Sequence, residues 1–149
     1  MPDLTGRVAI VTGSTKGIGL AIAEELVEAG ASVVISARTA SEVESVAERL
    51  DPYARGDVLG IPTDVADPEA CSELVQRTVD RLGRLDILVN NAGLGTFASI
   101  EEMSHEEWRT QIDVNLGGVF ACSKAAIPHL KDSDDAWIIN IGSLAGRNT

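Results

Sequence analysis

At 149 residues, with 44% hydrophobic and 23% charged residues, the chain has the size and balance of one globular domain around a single core. A net charge of −11 and the lack of any basic run exclude a nucleic-acid binder, which needs clustered Lys and Arg to neutralise phosphates. No apolar stretch reaches the ~18 residues of a membrane span, and no apolar leader follows Met1-Pro2-Asp3, so a cytoplasmic protein without a membrane partner is expected.

The first predicted strand, Arg7–Thr12, runs straight into Thr12-Gly-Ser-Thr-Lys-Gly-Ile-Gly19 and then a helix from about Lys16 to Ala29. Ile18, Ile22, Leu26 and Ala29 mark its inward face, and Gly30 stops it. In this strand–helix context the glycines have separate uses. Gly13 permits a tight turn, Gly17 lets backbone approach a pyrophosphate with no Cβ in the way, and Gly19 lets helix and strand pack closely. The helix N-terminus then offers free N–H groups to phosphates.

The second strand, Ser32–Ser36, ends in Ala37-Arg38-Thr39. An acid there would bind a ribose 2′-hydroxyl, whereas an arginine accommodates a 2′-phosphate. Arg38 is present, no acid is, and Lys16 adds a second cation, so NADP(H) is expected to be preferred over NAD(H). Each charge-assisted bond is worth roughly 1.5–3 kcal/mol. Thr39 and Glu42 have the spacing of a capping box that opens the second helix.

Tyr53 lies in a loop before the third strand, Val58–Pro62. Asp67 as N-cap and Pro68 at the first position open the third helix, which turns Leu74, Val75, Val79 and Leu82 inward and ends at Gly83. The fourth strand, Leu85–Asn90, leads into Asn90-Asn-Ala-Gly93. A second capping box, Ser104 and Glu107, starts the fourth helix, which runs to about Lys131, with Gly117-Gly118 weakening or bending it. The fifth strand, Trp137–Ile141, delivers Gly142 and Ser143.

Alternation of this kind predicts an α/β, Rossmann-type doubly wound parallel sheet with helices on both faces and strand order 3-2-1-4-5. Ligand is expected at the carboxyl ends of strands 1 and 4, where the order reverses. Cys71 and Cys122, without CxxC spacing, read as reduced, partly buried fillers. His105 and His129, at the ends of the fourth helix, have no ligand partners, so no metal site is expected. Trp108 and Phe120 read as core or interface residues.

The GxxxGxG loop, Asp64-Val65, Asn90-Asn-Ala-Gly93, Asn115 and Ser143 occur in one order that resembles the short-chain dehydrogenase/reductase family across essentially the whole chain. The resemblance implies hydride transfer between NADP(H) and a small-molecule carbonyl or secondary alcohol. It implies cofactor contacts from Gly13, Ser14, Lys16, Gly17, Ile18, Gly19, Arg38, Asp64, Val65, Asn91, Ala92 and Gly93. Asp64 would bond the adenine amino group beside the Val65 N–H, Ser143 the substrate oxygen, and Asn115 a proton-relay water.

The family's general acid/base is a tyrosine with a lysine one turn on, a short way beyond the serine. Tyr53 is the sole tyrosine and has no lysine four residues later. The expectation is therefore one truncated NADP-binding domain over 1–149, lacking the family's later strands, nearly inactive alone, and a homo-oligomer (tetramer or dimer) at full length. Leu144–Thr149 would begin the connection to the tyrosine. A complete, non-catalytic NADP-binding module is the alternative. Another Rossmann-type protein, such as a methyltransferase, is disfavoured by GxxxGxG and Asn90-Asn-Ala-Gly93.

Overall fold

Val and Ile dominate five short segments, and such side chains pack well on a pleated surface covered on both faces. In the computed structural model, which describes residues 3–143, these segments are β1 (Val8–Thr12), β2 (Ser32–Ser36), β3 (Val58–Gly60), β4 (Ile87–Asn90) and β5 (Trp137–Asn140). They form one parallel sheet in the order β3-β2-β1-β4-β5, the expected doubly wound arrangement. The helices are α1 (Gly17–Glu28), α2 (Ala40–Leu50), α3 (Pro68–Leu82), α4 (His105–Ile112) and α5 (Gly118–Leu130).

Side-chain alternation divides the core between the two faces. Ala9, Val11, Val33, Ile35 and Val89 pack with Ala23 and Val27 of α1 and Val43 and Ala47 of α2. Ile10, Val34 and Leu88 face Cys71, Leu74 and Val75 of α3 and Cys122 and Ala126 of α5. Each fully buried Val, Ile or Leu contributes about 1.5–3 kcal/mol. The cysteines are fully buried rather than partly so, and Cys71 together with burial pushes the Cys122 thiol up, away from thiolate chemistry.

Several local expectations change. Of the expected inward face of α1, Ala29 is buried and Ile22 and Leu26 pack partly buried against the core beside Gly19, Ala23 and Val27, while Ile18 is 65% exposed. Ile18 borders a cavity instead of the core. β3 stops at Gly60, although the Ile61 and Thr63 N–H groups still bond Ile35 and Ala37 of the β2 side. Pro62 falls on the outer edge, where it has no N–H to offer another strand.

The Asp67 cap forms, its Oδ1 accepting from the Glu69 N–H at 2.9 Å, and both halves of the Ser104–Glu107 box are present. The Thr39–Glu42 box does not form. Glu42 Oε2 instead accepts from the Thr15 hydroxyl at 3.4 Å, across from α2 to the glycine loop. The predicted fourth helix is α4 and α5 joined by a π-helical segment, Asp113–Gly117. Gly118 explains the close seat of α5: a Cβ there would come within 2.9 Å of the Val65 side chain.

At the amino end of the sheet Asp86 is 0% exposed. It accepts from the Val8 N–H at 2.9 Å, Arg7 at 3.0 Å, Arg84 at 2.7 and 2.9 Å, and Ser133 at 2.6 Å. Burial alone would raise its carboxyl; hydrogen bonds from Arg84, Ser133, Val8 and Arg7 more than reverse this and hold it at about 2. β5 contrasts with the other strands: Trp137, Ile138 and Ile139 are 45, 38 and 45% exposed, and among the described residues β5 pairs only with β4. No helix of the described residues is long and apolar enough to cross a membrane.

Candidate cofactor site

Parallel strands with helices on both faces leave a crevice where the strand order reverses, here between β1 and β4. Thr12 and Asn91 fasten the two loops that rise from those strands. The Thr12 hydroxyl accepts from the Asn91 and Ala92 N–H groups, both at 3.0 Å, and donates to the Val89 carbonyl at 3.4 Å. The Asn91 side chain donates to the carbonyls of Thr12 at 2.9 Å and Gly13 at 3.0 Å. Gly19 sits against this knot; a Cβ there would collide with the Asn91 amide and the Gly13 carbonyl.

The fastened loops border a cavity of about 390 Å³. Of the residues expected to contact a cofactor, Gly13, Lys16, Ile18, Gly19, Arg38, Asp64, Val65, Asn91, Ala92 and Gly93 line it. Ser14 and Gly17 do not. Ser14 stands behind the wall, fully buried, its hydroxyl donating to the Val11 carbonyl at 2.7 Å and accepting from the Ser36 N–H at 2.9 Å. Gly17 opens α1 with φ +58°, and a Cβ there would meet nothing within 4 Å. No side chain caps the first turn of α1, and no acid lies in it. Its N–H groups are thus left for an anion in front of the helix.

The charged lining is mixed: Lys16 and Arg38 against Glu42 and Asp64. Among the described residues neither Lys16 nor Arg38 forms an ion pair. Asp64 Oδ1 accepts from the Ala66 N–H at 3.0 Å, so this residue is a turn former as well as part of the wall. A glycine cradle, an uncapped helix start, two cations without an ion pair among the described residues and two carboxylates on one 390 Å³ cavity fit the phosphates, ribose and adenine of a dinucleotide.

Asn115 and Ser143 lie outside that lining. Asn115 projects from the π-helical segment, and its amide engages Leu94 from both sides. Its Nδ2 donates to the Leu94 carbonyl at 2.8 Å, and its Oδ1 accepts from the Leu94 N–H at 2.9 Å. π-Helical turns of this kind are frequent at functional sites. Ser143 is exposed beyond the carboxyl end of β5. An amide pair, Asn90 Nδ2 to Asn140 Oδ1 at 2.8 Å, ties β5 to β4 just before it. The expected continuation from Leu144 lies outside the described residues. Sequence reasoning had no signal for Thr12, Thr15, Glu42 or Asn140 as site-building groups, because each finds its partner on a different element.

Comparison with known proteins agrees with this geometry. The pattern of the short chain dehydrogenase family matches residues 7–149. A rhamnolipids biosynthesis 3-oxoacyl-acyl-carrier-protein reductase of Pseudomonas aeruginosa is 42% identical over 148 residues, 97% of this chain and 57% of the relative. A variant short-chain dehydrogenase/reductase of Serratia marcescens superposes with a TM-score of 0.91 at 38% identity, over 99% of this chain and 59% of its own. An alcohol dehydrogenase of Thermococcus sibiricus complexed with 5-hydroxy-NADP gives 0.83 at 36% identity, over 89% and 57%. The chain thus spans about three-fifths of the length of the curated relatives it matches. Sequence, sheet order and crevice agree, and the chain belongs to the short-chain dehydrogenase/reductase family of oxidoreductases.

Proposed function

We propose that the protein of full family length passes hydride between NADP(H) and a small-molecule carbonyl or secondary alcohol, with NADP(H) preferred over NAD(H). One observation carries this reading: Lys16 and Arg38 line the cavity without an ion pair among the described residues, beside an uncapped α1. Unpaired cations beside a phosphate-sized opening favour the extra 2′-phosphate. The bound cofactor supplies the hydride. The first-turn N–H groups of α1 hold its pyrophosphate, Asp64 and Val65 take the adenine, and Asn91 to Gly93 support the far ribose. Ser143 bonds the substrate oxygen, and Asn115, already fixed on Leu94, positions a relay water. A 3-oxoacyl compound, the class in the name of the P. aeruginosa relative, is the first carbonyl to try.

Tyr53 does not serve as the acid in this reading. It is 77% exposed in a short turn before β3, at the opposite edge of the sheet from β5. Residues 1–149 therefore bind dinucleotide and turn it over slowly, since losing a general acid/base removes about 10²–10⁴ in rate. Clear NADPH-dependent carbonyl reduction by the 149 residues alone would overturn that part. We place the protein in the cytoplasm as a homo-oligomer. The row Trp108, Ile112, Leu116 and Phe120, exposed at four-residue spacing, supports such an assembly.

Calorimetric titration with NADP⁺ and NAD⁺ tests the preference. NADP⁺ is expected to bind tens-fold more tightly, and Arg38→Asp to reverse the order, a change of about 1.5–3 kcal/mol per charged bond lost. Equal binding of the two cofactors by the unaltered protein refutes it.

A further inference from the structure

We infer that Glu42 is a second determinant of coenzyme choice, one that works against the 2′-phosphate. The inference rests on the cofactor reading above and adds a residue to it. Glu42 is the third residue of α2, where its carboxylate would ordinarily fold back on the Thr39 backbone. It does not. It reaches across to Thr15, 27 positions away, and accepts a hydrogen bond from that hydroxyl at 3.4 Å. This link joins the two walls of one end of the cavity: Thr15 and Lys16 on the glycine loop, and Arg38 and Thr39 ahead of α2.

Two consequences follow from the chemistry. A phosphate monoester carries about −1.5 to −2 charge at pH 7, so a carboxylate on the same lining repels it. The Thr15 hydroxyl, which can donate only one proton, gives it to Glu42 and withholds it from a phosphate. Lys16 and Arg38 are not consumed by Glu42, since neither pairs with it within the 4.0 Å of an ion pair among the described residues. The lining thus holds two available cations and two carboxylates, Glu42 and Asp64, of which Glu42 is the one linked to the glycine loop. NADP(H) still wins, by a smaller margin than the cations alone would set. NAD(H), which brings a hydroxyl instead of a phosphate, meets no such repulsion.

Dissociation constants for NADP⁺ and NAD⁺, measured by calorimetry on the full chain and on Glu42→Gln, test this. Glu42→Gln is expected to tighten NADP⁺ on the order of tenfold at low salt while NAD⁺ changes less than about twofold. The gain is expected to shrink as salt rises, as a charge effect must. Glu42→Ala, which removes the hydrogen bond as well and frees the Thr15 hydroxyl, is expected to show at least as large a gain. A ratio of the two affinities that stays within about twofold in both variants overturns the role of Glu42 and leaves the cofactor reading standing. Unchanged NADP⁺ with weakened NAD⁺ also overturns it, by making Glu42 a ribose ligand. If neither dinucleotide binds the unaltered protein or the variants, the cofactor reading fails and this inference falls with it.

Discussion

At the amino end of the sheet a buried carboxylate is met by two arginines, a serine and a backbone N–H, all on Asp86. At the carboxyl end Lys16 and Arg38 line a cavity and pair with nothing among the described residues. Both ends belong to the same strands and the same core, so strand packing alone does not account for the difference. Charge neutralised inside the chain fixes architecture; charge left over on a concave surface is held for something from outside.

Breaking the paired end is expected to have the largest effect. Asp86→Ala removes the shared partner of Arg7 and Arg84 and the acceptor of the Val8 N–H, and should cost about 1.5–3 kcal/mol in urea denaturation. The acid limb follows from the carboxyl lying at about 2 when folded against an ordinary 3.8. A folded value depressed in this way contributes stability that is full above the unfolded value and lost as pH falls through the folded one. Unfolding free energy should decline from about pH 5 toward 2, and Asp86→Asn should flatten that decline.

The open end is more tolerant of charge changes and less tolerant of bulk. Gly19→Ala puts a methyl group into the Asn91 amide and the Gly13 carbonyl. It should cost about 1–3 kcal/mol of stability and abolish measurable dinucleotide binding by calorimetry. Asn115→Leu removes both bonds to Leu94 and should cost about 1 kcal/mol, read most directly as faster hydrogen exchange of the Leu94 amide. If Asn115→Leu proved more damaging to stability than Asp86→Ala, the contrast between the two ends would be wrong.

Much of the fold was legible because the informative signals are local. Runs of Val and Ile placed the strands, and Asp67-Pro68 and Ser104 with Glu107 placed two helix starts, each through contacts within three residues. Thr39 and Glu42 carry the same local signature and form no box; the Glu42 carboxylate lies instead toward a hydroxyl 27 residues away. Ile18 misled in another way: its spacing fits a buried face, but it lines the cavity and is exposed. Asp86 was invisible since its burial is set by Arg7, Val8 and Ser133, which lie far along the chain, and Arg84 two positions away does not by itself mark a buried carboxylate. The glycine loop was readable in sequence because steric demand selects glycine whatever surrounds it. The two-sided engagement of Asn115 was not, because an amide has many uses.

The bonds that fasten the β1 and β4 loops to each other and to their neighbours share one property. Thr12 on Asn91 and Ala92, Asn91 on Thr12 and Gly13, Asn115 on Leu94 and Asn90 on Asn140 involve amides, a hydroxyl and backbone, and none of these groups titrates between acid and neutral pH. The knot between the β1 and β4 loops is therefore blind to protons, whereas the opposite end of the sheet rests on the Asp86 carboxylate. A pH profile of dinucleotide affinity measured above the acid limb reports the ligand phosphates and the carboxylates and cations of the lining, Glu42 and Asp64 among them, and not a loosening of that knot.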